Sequence, residues 1–455
     1  MDGAYEHECP NCARLEREVA DLKARVAQLE TLLEQAVRAG KRQAAPFSKR
    51  APKKIPKKPG RKPGDGYGKH HRRAIPGHVD ETHDVPLPGR CPHCRGRSLA
   101  EEHVCQQFQY EIPRRPVVRR FDIHVGTCGE CGRRVQGRHR LQTSDALGAA
   151  AVQLGGDAHA ALAILNKEFG LSHGKCAALF KRLFGVTINR SSSVRSVLKT
   201  ARRAEPAAAE IRTSVRGSPQ LTCDETGWRI GGHKAWLHVA VGEQASWYEV
   251  ARTRDHTVLE GLIGSGYAGT LIHDGWAVYD RFTEAHHQQC VAHILRRARD
   301  LAAGATRCAA QFPRQIVELF GRALAVRDRF RSGQIGAQTM ARRGLDLMEQ
   351  LQHLTAHPKR NAANDRLRRH LLSHLGEWFL FLFDPRVEAT SNRAERAIRP
   401  AVVNRKVWGG NRTDAGAHAQ SILMSVITTC HRTTTDVLDF LSNTRRSTTP
   451  PTLLT

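Results

Sequence analysis

Acidic side chains are in short supply in this chain of 455 residues: 44 Asp and Glu stand against 71 Lys and Arg, a formal charge of +27. That balance disfavours an acidic small molecule as ligand and favours a polyanion, nucleic acid first. Long apolar runs are missing too. No segment reaches the roughly 18 apolar residues that a membrane span needs, and the opening MDGAYEHECPNC has no apolar signal-peptide core. A cytoplasmic, nucleoid-associated protein without a membrane partner is therefore expected. Half of the 12 cysteines fall in three Cys-x-x-Cys pairs, which in an intracellular chain suggests reduced, metal-binding thiolates and no structural disulfide. The length, at roughly 150 residues per domain, allows about three folded units.

What is present is ordered along the chain. Leu15, Val19, Leu22, Val26, Leu29 and Leu33 recur at helical seam spacing amid charged residues. Over residues 1–40 this reads as a short leucine-zipper coiled coil that makes the protein a homo-oligomer, or as one amphipathic helix packed on its own domain. Residues 41–75, rich in Lys, Arg, Pro and Gly, are expected to form a disordered basic arm. There Lys53, Lys54, Lys57, Lys58, Arg61 and Lys62 would meet DNA phosphates, unless the stretch is only a solvated linker. Residues 76–140 hold Cys91-Pro-His-Cys94 and Cys128-Gly-Glu-Cys131, with strand-like runs at Phe108 to Ile112 and Val117 to Val125 between them. Two short x-x loops can grip one metal tetrahedrally, so Cys91, Cys94, Cys128 and Cys131 are expected to hold a structural Zn2+ in a small zinc-ribbon domain. Cys9 and Cys12, with His7 nearby, make half of such a site and stay unassigned. Residues 141–215 read as helical: Ala146 to Phe169, a Gly170-Leu-Ser turn, Lys175 to Phe184, and a third helix from about Ser192. The helices around the turn form either a DNA-reading helix-turn-helix or a plain connector.

From Pro219 the pattern turns to strands: Leu221 to Asp224, Trp228 to Ile230, a Gly231-Gly232 turn, Ala235 to Val241, Ser246 to Val250, and later Thr270 to His273. If the first and fourth strands of this meander pair, Asp224 and Asp274 become neighbouring strand-end carboxylates. Taken singly, each is an ordinary turn aspartate with Gly227 or Gly275 close behind. The segment Ser391-Asn-Arg-Ala-Glu395-Arg-Ala-Ile-Arg399 starts a helix with favourable capping residues, and Asn392, Glu395 and Arg399 share one face. Glu395 with Arg399 alone is a surface ion pair. Two strand-end aspartates plus a helical glutamate, however, are the hard oxygen ligands that two Mg2+ (or Mn2+) ions require. Glu225 adjoins Asp224 but points to the opposite sheet face, so only one of the two can face the metals.

Asp224-Glu-Thr-Gly-Trp228, Asp274-Gly-Trp-Ala-Val-Tyr279, Gln289-Cys-Val-Ala-His293 and Asn392-Arg-Ala-Glu-Arg396, running on to Asn404-Arg-Lys406, resemble segments of the transposases of the insertion sequence 66 family. The order of zipper, basic arm, four-cysteine domain and core is similar too, over nearly the whole chain. The resemblance implies an α/β catalytic core of ribonuclease-H-like type at residues 216–290 and 387–445, interrupted by a helical insertion at 291–386. It implies Asp224, Asp274 and Glu395 as DDE catalytic residues and magnesium ligands. The implied activity is that of a DNA transposase of a bacterial insertion sequence: two-metal-ion cleavage at the transposon ends, then 3′-hydroxyl strand transfer into target DNA. Double-stranded DNA is the implied partner, with accessory proteins of the same element beside it.

Cys290 and His293 recur in similar transposases and read as support for the core rather than as half a zinc site. Arg396, Arg399, Arg405 and Lys406 are expected to contact phosphates near the scissile bond, against the alternative of a solvated helix face. Residues 446–455 are expected to be a disordered tail. Two rival readings share parts of the pattern: a catalytically inactive zinc-containing DNA-binding regulator, and a different ribonuclease-H-like nuclease, such as a resolvase, that cuts without joining.

Overall fold

The computed structural model describes residues 75–110, 116–148, 152–305, 307–449 and 451–454, together with 11, 15, 18–22 and 24–29. Most of the basic arm, Leu33 and the Cys9/Cys12 pair lie outside these described residues. The chain divides into two units, Met1–Ile112 and Pro113–Thr455. In the first, the described zipper positions are helical, and Leu15, Val19, Leu22, Val26 and Leu29 are 46–62% exposed, an apolar stripe left uncovered among the described residues. The second opens with an antiparallel hairpin, β1 (Val125–Thr127) and β2 (Arg134–Gln136), whose loop carries Cys128 and Cys131. The strand-like runs flanking this hairpin on the N-terminal side are not strands among the described residues. Tyr110, Val117 and Val118 are exposed, and β-propensity without a face to bury does not build a ladder.

Four helices come next: α1 (Gly156–Lys167), α2 (His173–Phe184), α3 (Arg190–Arg203) and α4 (Glu205–Arg216). The first begins at Gly156 instead of Ala146, because paired glycines propagate a helix poorly. Close packing requires Gly156: a Cβ there would lie 2.7 Å from the Ser442 hydroxyl.

The sheet starts with the meander β3 (Gln220–Ile230), β4 (His233–Val241) and β5 (Ser246–Ala251). Gly231 and Gly232 make its first turn with φ of 60° and 85°, the left-handed pair that a two-residue hairpin loop demands. After α5 (His256–Ile263), the strands β6 (Thr270–His273) and β7 (His286–Gln289) complete a five-stranded mixed sheet of order β5-β4-β3-β6-β7. The first and fourth strands of the core do pair, in parallel, with Leu221 opposite Leu271 and Thr222 opposite Ile272.

A helical insertion follows: α6 (Val291–Gly304), α7 (Arg307–Arg331), α8 (Ala337–Thr355), α9 (Ala362–Ser373) and α10 (Leu380–Phe383). It buries its own core around Phe320, Trp378, Phe379 and Phe381. Gln288 of β7 fastens it to the sheet, accepting from the Phe381 N–H at 3.0 Å and donating to the Trp378 carbonyl at 3.2 Å. The chain then returns through α11 (Asn392–Trp408), α12 (Asp414–Arg432) and α13 (Val437–Arg446). Near the C-terminus, Leu453 and Leu454 pack on the main core and the Leu453 N–H donates to Glu210 at 3.0 Å, so this tail has apolar surface to bury and is anchored. No helix of the described residues is long and apolar enough to cross a membrane.

One face of the sheet, with Leu221, Cys223 and Leu271, packs under α4, α5 and α12. The other, with Trp228, Leu237 and Val239, packs under α11. Because β5 is an edge strand, its outward N–H groups need acceptors. A row of hydroxyls one helical turn apart on α12 supplies them: Ser246, Tyr248 and Val250 donate to Thr429, Ser425 and Ser421 at 3.2, 2.9 and 3.0 Å. These buried bonds replace a sixth strand. Ser425→Ala should leave the buried Tyr248 N–H without a partner and lower unfolding free energy by about 1–3 kcal/mol. Chemical denaturation would test this, and a loss below a few tenths would mean that the hydroxyl ladder is not holding the edge.

Candidate active site

Asp224 is not a strand-end residue, contrary to the sequence expectation, because β3 runs on to Ile230 along its hairpin partner β4. It does lie just past the point where the parallel pairing with β6 stops, at Thr222 opposite Ile272. Asp274 directly follows β6. Strand alternation puts Thr222 and Asp224 on the face covered by α11, and Cys223 and Glu225 on the other. Glu395, in the first turn of α11, therefore shares the face of Asp224. The electrostatics carry the same message. Burial first, then the Asp274 and Glu395 carboxylates, push Asp224 up to about 6 against a hydrogen bond from the Glu225 N–H.

Each aspartate is oriented through one oxygen and open at the other. Asp224 Oδ1 accepts the Glu225 N–H at 2.9 Å, and Asp274 Oδ1 accepts the Trp276 N–H at 3.1 Å. Among the described residues, the two Oδ2 atoms have no hydrogen-bond partner. Glu395 Oε1 lies 3.6 Å from His293 Nε2 and 3.9 Å from Arg296 Nη2. Three carboxylates with free oxygen lone pairs, two of which disfavour the anion of the third, Asp224, fit hard divalent cations. A cleft of about 560 Å³ opens beside them, lined by Asp274, His293, Arg296 and Arg297.

Glu395 reaches this place through Cys290. The buried Cys290 sulfur accepts the Ser391 N–H at 3.2 Å, and the Val291 N–H donates to the Ala389 carbonyl at 3.0 Å. Ser391 thus anchors the start of α11 through its backbone; its hydroxyl is buried without a partner and caps nothing, unlike the sequence expectation. The Cys290 sulfur raises the pKa of the adjacent His293. Cys290 and His293 are accordingly built into the junction of the core, as their reading from sequence supposed.

Glu225 serves the opposite face. Its carboxylate pairs with Arg254, whose guanidinium stacks on Trp276 at 4.0 Å and on Trp236 at 4.9 Å. Burial, with Asp274 next, pushes Glu225 up to about 7 against the pull of Arg254. Arg254 holds Trp276, and Trp276 belongs to the turn that orients Asp274. A second support sits beneath that turn. His287 Nε2 donates to the Phe282 carbonyl at 3.0 Å, so its Nδ1 must accept from His273 Nε2 at 3.0 Å, and His273 Nδ1 accepts the Gly275 N–H at 3.2 Å. Gly275 needs its glycine, with φ of 85° and a Cβ position 2.8 Å from Gln289. Neither Arg254 nor His273 carried any sequence signal, since a lone arginine after a strand and a lone strand histidine are common.

Among the described residues, the group whose ligand atoms lie within 4.8 Å of one another is His273, His287 and Glu377. Its ring nitrogens are satisfied by the relay just described, and Glu377 Oε2 accepts from Gln289 and His374 at 2.6 and 3.0 Å. It therefore acts as a hydrogen-bonded support. Of the expected phosphate contacts, Arg396 and Arg399 are exposed on α11, whereas Arg405 is half-buried and donates to the Thr226 hydroxyl at 3.2 Å; Lys406 is half-buried. Lys53, Lys54, Lys57, Lys58, Arg61 and Lys62 lie outside the described residues.

The two cysteine loops, each taken by itself, have the same backbone. The Cys91 N–H donates to the Gly96 carbonyl and the Arg95 N–H to that of Cys91; the Cys128 N–H donates to the Arg133 carbonyl and the Gly132 N–H to that of Cys128. Arg95 and Gly132 both take left-handed φ, 62° and 66°. Backbone N–H groups of Cys94 and His93 lower the Cys91 thiol, and those of Cys131 and Glu130 lower Cys128. Stabilised thiolates in a tight loop are what a soft-ligand metal knuckle needs.

A family model described as Transposase IS66 family matches residues 152–419, more than half of the chain, a span that contains Asp224, Asp274 and Glu395. No curated protein matches the chain.

The raised Asp224 carboxyl has a measurable consequence in metal-free protein. Its folded pKa, about 6, exceeds the ordinary 3.8, so the folded state penalises the anion. That penalty is absent below about pH 4 and grows as pH rises through 6. Asp224→Asn should therefore stabilise the chelator-treated protein at pH 8, by up to about 3 kcal/mol, with no gain at pH 4. Paired denaturation curves would read this, and an Asn variant less stable at pH 8 would contradict the like-charge geometry.

Proposed function

The chain belongs to the Transposase IS66 family, and on that premise we propose that it cleaves and joins DNA at a DDE site formed by Asp224, Asp274 and Glu395 in a ribonuclease-H-like core. The sheet order β5-β4-β3-β6-β7, three strands antiparallel and the last two parallel to β3, supports that reading of the core. The observation that carries the function is the pair of aspartates, one on β3 and one directly after the neighbouring β6, each oriented through one oxygen and open at the other among the described residues, with a glutamate on the helix above them. Bound magnesium would lower the pKa of an attacking water or hydroxyl and neutralise charge on the leaving oxygen. Asp224, Asp274 and Glu395 would hold it; the protein itself orients the acids and supplies cations. His293 and Arg296 lie beside Glu395 and, with Arg297, face the cleft, where an anionic phosphodiester gains from them.

The chemistry assigned to the site has two balanced displacements. Water attacks phosphorus at a transposon end and expels a 3′-oxygen, which leaves as a hydroxyl. That 3′-hydroxyl then attacks a target phosphodiester in line, losing its proton, and a target 3′-oxygen departs. Asp224→Asn, Asp274→Asn and Glu395→Gln should each preserve folding and DNA affinity while reducing strand transfer in Mg2+ or Mn2+ by at least about a thousandfold. Joining of labelled end duplexes to plasmid would measure it; substantial joining by any one variant would remove that residue from the site, and cleavage without joining by the parent would favour a resolvase.

The four thiolates Cys91, Cys94, Cys128 and Cys131 together suit one structural zinc, since soft sulfur selects zinc and leaves magnesium to the carboxylates. Elemental analysis of purified protein should give one zinc per chain, lost in Cys94→Ser and in Cys128→Ser. Undiminished zinc in both variants would overturn the four-sulfur assignment.

A further inference from the structure

The helices α1 and α2 share a small apolar cluster ahead of the sheet, while α1 and α3 also pack into the main core through Ala160, Ala163, Val197 and Ala201. Leu162, Cys176 and Phe180 are the buried centre of the small cluster, with Leu165, Leu171 and Leu179 around them. Between α1 and α2 the chain reverses through Gly170, which takes φ of 68° and whose side-chain space is filled by Asn404 at 2.1 Å from a would-be Cβ. Ser172 then caps α2 by accepting the Lys175 N–H, and Gly185 ends it in a left-handed conformation. A short helix, a glycine turn and a second capped helix make a helix-turn-helix.

The charge on this unit is one-sided. Residues 156–203 contain Lys167, Lys175, Lys181, Arg182, Arg190, Arg195, Lys199, Arg202 and Arg203 but only two acids, Asp157 and Glu168. Both acids are engaged elsewhere, Asp157 by Arg446 at 2.7 Å and Glu168 by His431 at 2.8 Å. On α2, Lys175, Ala178, Lys181 and Arg182 are exposed, and among the described residues none of these three cations has an acidic partner. Lys175, Ala178 and Arg182 fall on one side of a helix, with the small Ala178 between two cations.

We propose that this helix-turn-helix docks on duplex DNA with the exposed side of α2 against the groove, Lys175, Lys181 and Arg182 meeting phosphates on its walls. Twelve helical residues span about 18 Å, enough to cross a major groove about 12 Å wide, and alanine at the centre permits close approach. A groove of duplex DNA supplies the anions that the unit itself lacks. Arg190, whose guanidinium lies 3.4 Å from the Cβ position of Gly174, adds charge at the N-terminal end of α2, where the helix dipole also favours phosphate. The inference rests on the transposase reading for its choice of DNA, yet it concerns binding and not chemistry.

The test uses the full-length protein in EDTA, with two probes of equal length: a duplex bearing the DNA end that flanks the gene, and one of random sequence. Lys175→Ala/Lys181→Ala/Arg182→Ala should weaken binding at 0.1 M salt by at least roughly tenfold and make the slope of log affinity against log salt shallower by nearly 3, at about 0.9 per phosphate. Arg314→Ala/Arg322→Ala/Arg342→Ala, on the insertion, removes equal charge as a control. An unchanged slope, or the same change in both triple variants, would overturn the proposal, because only net charge would then be felt. Ala178→Glu, which keeps the helix and all three cations, should weaken binding as well, and undiminished affinity would exclude close approach by α2. Failure of the chemical assignment looks different: the DDE variants would keep joining activity while this triple variant still lost salt dependence.

Discussion

The hold between the two ends of the helical insertion is the interaction on which the site depends. Glu395 is separated from Asp274 by the whole of α6 to α10, and nothing local in the chain could place it. At the base of that loop, the Cys290 sulfur takes the Ser391 N–H and the Ala389 carbonyl takes the Val291 N–H. Both contacts are buried, so their alternatives are unpaired polar groups rather than water. Because α6 begins where β7 ends, the same residues tie the insertion, the sheet and α11 into one junction. The length of the insertion is then immaterial to the geometry of the acids.

Around that junction the molecule uses polar groups to fix what apolar packing leaves free. Packing against Trp228, Leu237 and Val239 sets the distance of α11 from the sheet, but the direction of Asp274 is set by hydrogen bonds beneath its turn. The histidine relay from Phe282 to Gly275 has a single consistent assignment of protons, and Arg254 is wedged between two tryptophans by Glu225. A wrong rotamer at either support would leave a buried charge or donor without a partner. Asp224 pays the opposite way: buried near two like charges, it is held in a place that suits cations better than it suits the empty protein.

Much of the core was legible because its signals are local. The Gly231-Gly232 turn admits little besides a tight hairpin, the alternation along β3 separates Asp224 from Glu225, and the motifs around Asp224, Asp274 and Glu395 carried the family resemblance. Local signals also erred in recognisable ways. Among the described residues, the stretch between Ala146 and Gly155 has helical composition but no α-helix, the runs near Val117 have strand composition but no pairing partner, and Ser391 has the chemistry of a cap but gives its backbone N–H to Cys290. In each case propensity was outweighed by what lay across the chain.

The amino-acid sequence by itself determined the charge of the protein, its order of segments, its strands and turns, and which three acids are candidates for the site. The tertiary structure alone decided that α11 covers the face of Asp224, that Arg254 and His273 steady the Asp274 turn, that Ser421, Ser425 and Thr429 seal an edge strand, and that Arg405 turns inward. The reason is physical. Periodicity and turn chemistry act over a few residues, whereas the pairing of a buried donor with its acceptor joins positions such as Tyr248 and Ser425, far apart in the chain, and exists only once both are out of water.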